Sequence, residues 1–293
     1  MGATVPQENW MQTREIRMHY LDWGPPSDGN ESNLPLLALH GLASSCHWYD
    51  LVIPHLRDSY RCVALDQRGH GKTDQPSTGY DWNTLAGDIV SALDMLGLEK
   101  VNLCGHSWGG HVALSVAAKH PDRIAALALI DGGFQDWSMR PDATWESFKN
   151  RLRPRNVPPV KQDFLDGLKE QLSDCWSDEL ERIVLTMVRE LPDGSIRDIL
   201  EPSNHAQVME AMWHNPPSTM FGLVQCPTII IAAERRPGTG SPELAQSRRM
   251  MVDAAEAALE DSRVVWIKDS SHDIGYHTPV ELAQTLDSFL AGR

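Results

Sequence analysis

The sequence predicts an α/β protein whose sheet is mostly parallel and covered by helices on both faces. Short, continuously apolar runs such as residues 36–39 and 125–130 alternate with longer segments of helical periodicity, a pattern typical of strands buried on both faces. A serine flanked by glycines, Ser107, stands between an apolar run and a helical pattern. The chain has 293 residues, which suits one large α/β domain, or one such domain with an insertion.

The individual elements follow from local patterns. Residues 14–23 predict an antiparallel hairpin, and the polar, Gly- and Pro-rich stretch 24–33 predicts a loop. Apolar side chains recur on one face of the segment 80–96, as expected for an amphipathic helix. By the same criteria we predict strands at 36–39, 61–65, 101–104, 125–130, 228–232 and 263–267. We predict further helices at 47–57, 110–119, 242–259 and 279–290.

Residues 135–222 interrupt this alternation with several helix-like stretches and few strand-like ones. We therefore predict a core formed by residues 1–134 and 223–293, with a helical cap at 135–222. An insertion after a strand lies over the edge of the sheet where α/β proteins bind ligands. The cap carries Trp137, Trp145, Trp176 and Trp213. These tryptophans either line an apolar substrate pocket, for which we nominate Trp137, Trp176 and Trp213, or fill the core of the cap.

Composition excludes several classes of function. The formal net charge of −14 argues against nucleic acid as a partner and disfavours anionic membrane surfaces. No apolar run approaches the length of about 18 residues that a membrane span needs, and five scattered cysteines form no C-x-x-C pair. With no apolar signal core in residues 1–14, we expect a cytoplasmic protein.

The sequence predicts no cofactor and no metal. Gly71-Lys72-Thr73 resembles the end of a phosphate-binding loop, but the position where that loop would begin is Asp66 rather than glycine. The chain contains no H-E-x-x-H motif or comparable ligand spacing.

The candidate nucleophile is Ser107, within Gly105-His106-Ser107-Trp108-Gly109. The order of strand, glycine-flanked serine and helix is the one required by a nucleophile elbow, in which the serine stands at the tip of a sharp turn. A Cβ at either glycine would collide with the neighbouring strand or helix.

A serine hydroxyl needs a base, and triads on this scaffold run serine, acid, histidine along the chain. His272, just beyond the last predicted strand, is the candidate base, and His277 is its rival. Two strand ends offer an acid. Asp131 begins a glycine-rich turn after residues 125–130, and Glu234 follows residues 228–232 beside two arginines. We favour Asp131 and keep Glu234 as the alternative.

An oxyanion intermediate needs two backbone N–H donors. Trp108, directly after the nucleophile, is the first candidate. Leu42 is the second, because His40-Gly41-Leu42 follows an early strand and the glycine allows close approach of the backbone.

Together these motifs resemble the α/β-hydrolase fold family over nearly the whole chain. The resemblance depends on His40-Gly41, the segment 66–71, the elbow at Ser107, and His272 ahead of a terminal helix that begins with proline. It implies a hydrolase fold and is only weakly specific for the reaction. Ser107 disfavours the haloalkane dehalogenase and epoxide hydrolase branches, which have aspartate at that position.

One departure from the family pattern concerns the acid. The resemblance places a catalytic aspartate after the strand at 228–232, where this chain has Arg236. Some branches place the acid one strand earlier, where Asp131 lies. The zearalenone lactonases, with a glutamate, and the cofactor-independent quinolone dioxygenases resemble this chain in that respect.

We therefore expect a carboxylic ester hydrolase or lactonase that acts on a small molecule with an apolar or aromatic group, through an acyl-enzyme. One alternative is a cofactor-free dioxygenase in which the histidine–aspartate pair deprotonates an aromatic substrate. Another is a ligand-binding receptor or pseudoenzyme that retains the pocket. The sequence does not predict an oligomeric state.

Overall fold

The structure, a computed structural model that describes residues 5–29, 32–234 and 241–291, confirms the α/β architecture. Its main sheet has eight strands in the order β1-β2-β4-β3-β5-β6-β9-β10. β1 and β2 pair antiparallel, as do β2 and β4, and the other neighbours pair parallel. The main-sheet strands are β1 (Gln7–Gln12), β2 (Arg17–Asp22), β3 (Leu36–Leu39), β4 (Cys62–Leu65), β5 (Val101–His106), β6 (Ile124–Ile130), β9 (Thr228–Ala233) and β10 (Ser262–Ile267).

Helices flank this sheet. The α-helices are α1 (Trp82–Met95), α2 (Trp108–Lys119), α3 (Trp145–Arg151), α4 (Lys161–Gln171), α5 (Asp178–Leu185), α6 (Pro202–His214), α7 (Pro242–Ala258), α8 (Ile274–His277) and α9 (Pro279–Leu290). Two apolar clusters form the core on opposite faces of the sheet, because alternate residues of a strand point to opposite faces. In β3, Leu37 and Leu39 belong to one cluster, while Leu36 and Ala38 belong to the other.

Two expected elements differ from the observed ones. The opening hairpin starts earlier than predicted, because the polar strand β1 pairs along the exposed edge of β2. The predicted helix at 47–57 was wrong. Two short 3₁₀ turns, Cys46–Tyr49 and Ile53–His55, occupy that segment. Pro54 lies inside the second turn and has no backbone N–H with which to continue a helix.

The insertion between β6 and β9 contains α3, α4, α5 and α6 together with a small antiparallel pair, β7 (Val188–Glu190) and β8 (Ile196–Asp198). The regular structure of this segment is mostly helical, as the sequence suggested, and the cap boundaries at 135 and 222 stay a prediction. Within the described part of the chain, no helix is both long and apolar enough to cross a membrane.

A buried polar cluster supports the loop after β4. The Asp66 carboxylate accepts hydrogen bonds from the backbone N–H groups of Cys46 at 2.7 Å and Lys72 at 2.9 Å, and from His19 Nδ1 at 2.7 Å. Gly71 adopts a positive φ of 52°, and a Cβ there would overlap this carboxylate. Close packing against the Asp66 carboxylate therefore requires a glycine at position 71.

The buried Asp66 carboxylate makes the stability of the protein depend on pH. Burial is the largest single effect and raises the pKa of Asp66. The hydrogen bonds from His19 and the Cys46 backbone, together with the electrostatic effect of His40 and His19, outweigh it and hold this pKa well below its usual range. A carboxyl whose pKa is lowered on folding stabilises the protein above its unfolded pKa of about 3.9. That contribution is lost as the pH falls from there toward the folded pKa.

We expect Asp66→Asn to lower the free energy of unfolding at pH 7 by about 3 kcal/mol, because it leaves buried donors facing an amide. Because the variant has no carboxyl group at this position, we also expect its free energy of unfolding to fall less steeply below about pH 4. Urea denaturation across pH measures both effects. Asp94→Asn is the control, since Asp94 pairs with Arg123 at 2.8 Å and is 60% exposed, and such pairs contribute about 1 kcal/mol or less. An Asp66 variant as stable as the Asp94 variant would contradict this account.

Candidate active site

The turn between β5 and α2 holds the candidate nucleophile in an unusual backbone conformation. Ser107 has φ 53° and ψ −120°, a region that costs roughly 1–3 kcal/mol for a residue with a side chain. Room for this turn comes from Gly105, where a Cβ would overlap the Gly109 carbonyl, and from Gly109, where a Cβ would overlap the carbonyls at the end of β3. Both collisions expected from the sequence, with helix and with strand, are therefore present.

The structure brings Ser107, His272 and Asp131 into one chain of hydrogen bonds. His272 Nε2 lies 2.9 Å from Ser107 Oγ, and His272 Nδ1 lies 2.7 Å from Asp131 Oδ2. Because a carboxylate can only accept, Nδ1 carries the proton and Nε2 is free to accept the serine proton. Asp131 is fully buried, and its Oδ1 accepts the backbone N–H of Ala233 at 2.7 Å.

The two rival residues lie elsewhere. The Glu234 carboxylate pairs with Arg249, with Oε1 2.5 Å from Nη2. The backbone carbonyl of Glu234 accepts a hydrogen bond from Ser270 N, in the loop that carries His272, here called the histidine loop. His277 Nδ1 lies 3.2 Å from Asp174 Oδ2. The structure thus places Asp131 beside His272 and pairs Glu234 with another residue. The neighbouring Arg235 and Arg236 lie outside the described residues.

The proposed oxyanion donors border the same turn. In the described part of the chain, no hydrogen-bond acceptor is assigned to the backbone N–H of Leu42 or of Trp108. A Cβ on Gly41 would lie 3.2 Å from the Ser107 Cβ and 3.0 Å from His106 Nδ1, so this glycine lets the loop approach the serine. His40 holds the loop through Nε2, which accepts from Gln67 N at 3.1 Å.

Two residues that the sequence analysis did not nominate hold the histidine loop. His106 Nε2 donates to the His272 carbonyl at 2.9 Å, and burial lowers the pKa of His106 to about 3, so it stays neutral. Trp48 stacks on the His106 ring at a centroid distance of 4.0 Å, and its Nε1 donates to Asp273 Oδ1 at 3.2 Å. The position of His106 beside Ser107 was the only sequence signal for either residue.

A cavity of about 270 Å³ opens at Ser107 and His272. Its walls combine the predicted oxyanion loop with residues of the helical insertion. The insertion contributes apolar side chains from α4, α5 and the turn that follows, and two polar ones, Arg155 and Gln171. The apolar lining residues include Leu42, Trp48, Leu168, Leu172, Val184 and Met187.

Trp137, Trp176 and Trp213 are not among the described residues that line this cavity. Trp137 and Trp213 pack against Phe148 at centroid distances of 5.8 and 5.3 Å. Trp176 lies under the ammonium group of Lys169 at 5.5 Å. Of the two uses considered for these tryptophans, the structure shows packing within the insertion, and the tryptophan that lines the cavity is Trp48.

A larger cleft, of about 540 Å³, lies between α7 and the segment 140–151. Its charged residues include Asp142, which pairs with Arg140 at 3.3 Å and Arg151 at 2.7 Å. None of the residues lining it belongs to the hydrogen-bonded chain from Ser107 to Asp131. We therefore assign the candidate active site to the smaller cavity.

Two groups of side chains in the described residues have the spacing of metal ligands, His19 with Cys46 and Asp66, and Asp174 with Cys175 and His277. In the first, hydrogen bonds already occupy both Asp66 oxygens. The second group lies at the surface, and it includes none of the residues Ser107, Asp131 and His272. Neither group takes part in the chemistry considered below.

Comparison with known proteins identifies the family. The family model for the alpha/beta hydrolase fold matches residues 35–234, which include the elbow and Asp131. The chain belongs to the alpha/beta hydrolase fold family. This confirms the resemblance inferred from the motifs and makes the chain a member of a family of hydrolases.

Relatives of this alpha/beta hydrolase cover a range of reactions. A soluble epoxide hydrolase of Corynebacterium sp. (strain C12) is 37% identical over 115 residues, which are 39% of this chain and 38% of that protein. The crystal structure of an E-2-(acetamidomethylene)succinate hydrolase is similar with a TM-score of 0.76, 21% identity, and coverage of 97% of this chain and 99% of that one. The enol-lactonase from Burkholderia xenovorans LB400 is similar with a TM-score of 0.67, 20% identity, and coverage of 96% and 99%. At these identities the structural likeness shows the fold alone.

Proposed function

We propose that this alpha/beta hydrolase cleaves carboxylic esters or lactones through an acyl-enzyme on Ser107. The observation that carries the proposal is the continuous chain from Ser107 Oγ through His272 to Asp131, with bonds of 2.9 and 2.7 Å. Serine with a hydrogen-bonded histidine and a buried acid is the arrangement that activates a hydroxyl for attack on a carbonyl.

In the first half of the reaction, His272 Nε2 takes the proton of Ser107 as Oγ forms a bond to the carbonyl carbon. Asp131 accepts from Nδ1, which keeps the imidazole in the correct tautomer and stabilises the imidazolium. The backbone N–H groups of Leu42 and Trp108 receive the oxyanion. His272 then protonates the leaving alkoxide, and the C–O bond of the ester breaks.

In the second half, a water molecule replaces the alcohol. His272 removes a proton from the water, hydroxide adds to the acyl carbon, and the bond from that carbon to Ser107 Oγ breaks as the proton passes to Oγ. The carboxylic acid leaves and the enzyme returns to its starting state. For a lactone the alcohol stays attached to the acyl group, and water opens the same intermediate.

The cavity suggests which substrates fit. Its volume of about 270 Å³ lies just below the range of small-molecule sites, about 300–1,000 Å³, and its walls are mostly apolar. Small esters and lactones with an apolar group match this space. The presence of Ser107 where the epoxide hydrolase and haloalkane dehalogenase branches have aspartate supports ester chemistry over those reactions.

A panel of p-nitrophenyl esters of increasing acyl length, together with simple lactones, tests the proposal. We expect kcat/KM for the butyrate ester to exceed that for the palmitate ester by at least about tenfold. Each methylene that is buried in the cavity contributes about 0.8 kcal/mol to binding, and the methylenes of an acyl chain that is too long for the cavity contribute nothing. Oxygen uptake, recorded in parallel with a heteroaromatic substrate, distinguishes hydrolysis from dioxygenation. Oxygen consumption without ester or lactone cleavage would contradict the proposal.

A further inference from the structure

Two adjacent arginines of α7 each contact one of the two acids at the carboxyl edge of the sheet. The Arg248 guanidinium, through Nη2, contacts Asp131 Oδ1. Arg249 Nη2 lies 2.5 Å from Glu234 Oε1. The acid that pairs with His272 therefore also carries a cation on its opposite oxygen. Neither arginine is needed to explain the hydrogen bonds of the triad.

The Arg248 guanidinium is mostly buried and lies beside a buried carboxylate. Asp131 is fully buried, and the Arg248 side chain is 26% exposed. The guanidinium also lies over the Phe134 ring, with its carbon 5.6 Å from the ring centroid. Burial lowers the pKa of Arg248 to about 10, so the group is still protonated at neutral pH.

We propose that Arg248 is a positioning residue that sets the charge balance of the Asp131–His272 pair and thereby the lower pH limit of activity. This inference rests on the proposed function, in which His272 must be neutral to accept the proton of Ser107. A cation on Oδ1 fixes the orientation of the carboxylate whose other oxygen holds His272 Nδ1.

The electrostatic consequence has a definite sign. Asp131 alone favours the imidazolium form of His272, because opposite charges attract. Arg248 offsets part of that field, so His272 stays neutral to a lower pH than it would beside a lone carboxylate. Removing the charge of Arg248 must then raise the pH at which His272 loses its proton.

The other ionisable groups around His272 do not substitute for Arg248. His106 is neutral, because burial lowers its pKa to about 3, and burial raises the pKa of Tyr276 well above its usual value. Asp273 accepts from Trp48. Arg155, which also lines the cavity, pairs with Asp198 at 3.1 Å.

Two measurements on the intact protein test this role. The first is the NMR titration midpoint of the His272 ring, which needs no turnover. The second is the acidic limb of the pH profile of kcat/KM for a p-nitrophenyl ester. Both are recorded for wild type, Arg248→Met, Arg248→Gln and Arg248→Lys. Arg249→Met is the matched control, since it removes the neighbouring arginine of the same helix, which pairs with Glu234.

We expect the Met and Gln variants of Arg248 to move both midpoints upward by about one pH unit. Arg248→Lys keeps a positive charge and brings both midpoints most of the way back to the wild-type values, and Arg249→Met leaves both midpoints within about 0.2 units of wild type. Unchanged midpoints in folded Met and Gln variants, or an equal shift in Arg249→Met, would overturn the proposal.

Folding failure is also informative. If neither neutral variant folds, Arg248→Met combined with Asp131→Asn must recover folding, because the second change removes the unpaired buried charge. A double variant that stays unfolded would overturn the role of charge. A shift in the NMR midpoint without any ester turnover would support Arg248 while rejecting the proposed hydrolase function.

Discussion

Ser107→Ala is expected to lower kcat for p-nitrophenyl butyrate by at least about a thousandfold. The hydroxyl lies 2.9 Å from His272 Nε2, and without it no acyl-enzyme forms. Activity remaining after the substitution comes from the oxyanion donors and from substrate binding. Initial rates under saturating ester measure the effect, and circular dichroism verifies the fold.

The matched control is Ser115→Ala in α2, directly behind the elbow. Ser115 is buried and donates to the Trp82 carbonyl at 3.2 Å, so its loss alters packing of the same helix but not the triad. We expect kcat within about threefold of wild type. Equal losses of kcat in both variants would show that any change at or near α2 disables the enzyme, and would contradict a specific role for the Ser107 hydroxyl.

Asp131→Asn is expected to lower kcat by about 10⁴-fold. The amide cannot accept from His272 Nδ1 while also facing the N–H of Ala233 and the guanidinium of Arg248. The His272 imidazole is therefore no longer held in the required tautomer, and its protonated form has no counter-ion. Steady-state kinetics at a pH above the acidic limb measure the change in kcat separately from the protonation of His272.

Glu234→Gln tests the alternative acid with the same type of substitution. Because the Glu234 carboxylate pairs with Arg249 at 2.5 Å, we expect kcat within about threefold of wild type. If Glu234→Gln is the more damaging change, the assignment of the acid to Asp131 is wrong.

Much of the fold followed from local pattern. Apolar runs such as Leu36–Leu39 predicted buried parallel strands, and the structure has a strand with those bounds. Residues at the carboxyl ends of parallel strands meet at one edge of the sheet, so Ser107, Asp131 and His272 could be nominated before their contacts were seen. Their catalytic roles stay predictions for the experiments above.

Other features depend on contacts between distant segments, which single-sequence patterns do not reveal. Trp48 stacks on His106 although the two residues lie far apart in the sequence. Arg248 contacts Asp131 from a helix that carries no recognisable motif. The tryptophans of the insertion are of a residue type that often lines apolar pockets. Whether they face the cavity or one another depends on how α3 and α6 pack, and they face Phe148.

In the proposed reaction, Ser107 becomes covalently acylated with His272 as its base. Mass spectrometry of the protein after treatment with diethyl p-nitrophenyl phosphate detects whether Ser107 forms a covalent adduct. We expect one diethylphosphoryl group on the peptide that contains Ser107, loss of ester hydrolysis in proportion to labelling, and slow labelling of His272→Ala. Full hydrolytic activity without that adduct, or equally fast labelling of His272→Ala, would contradict the proposed reaction.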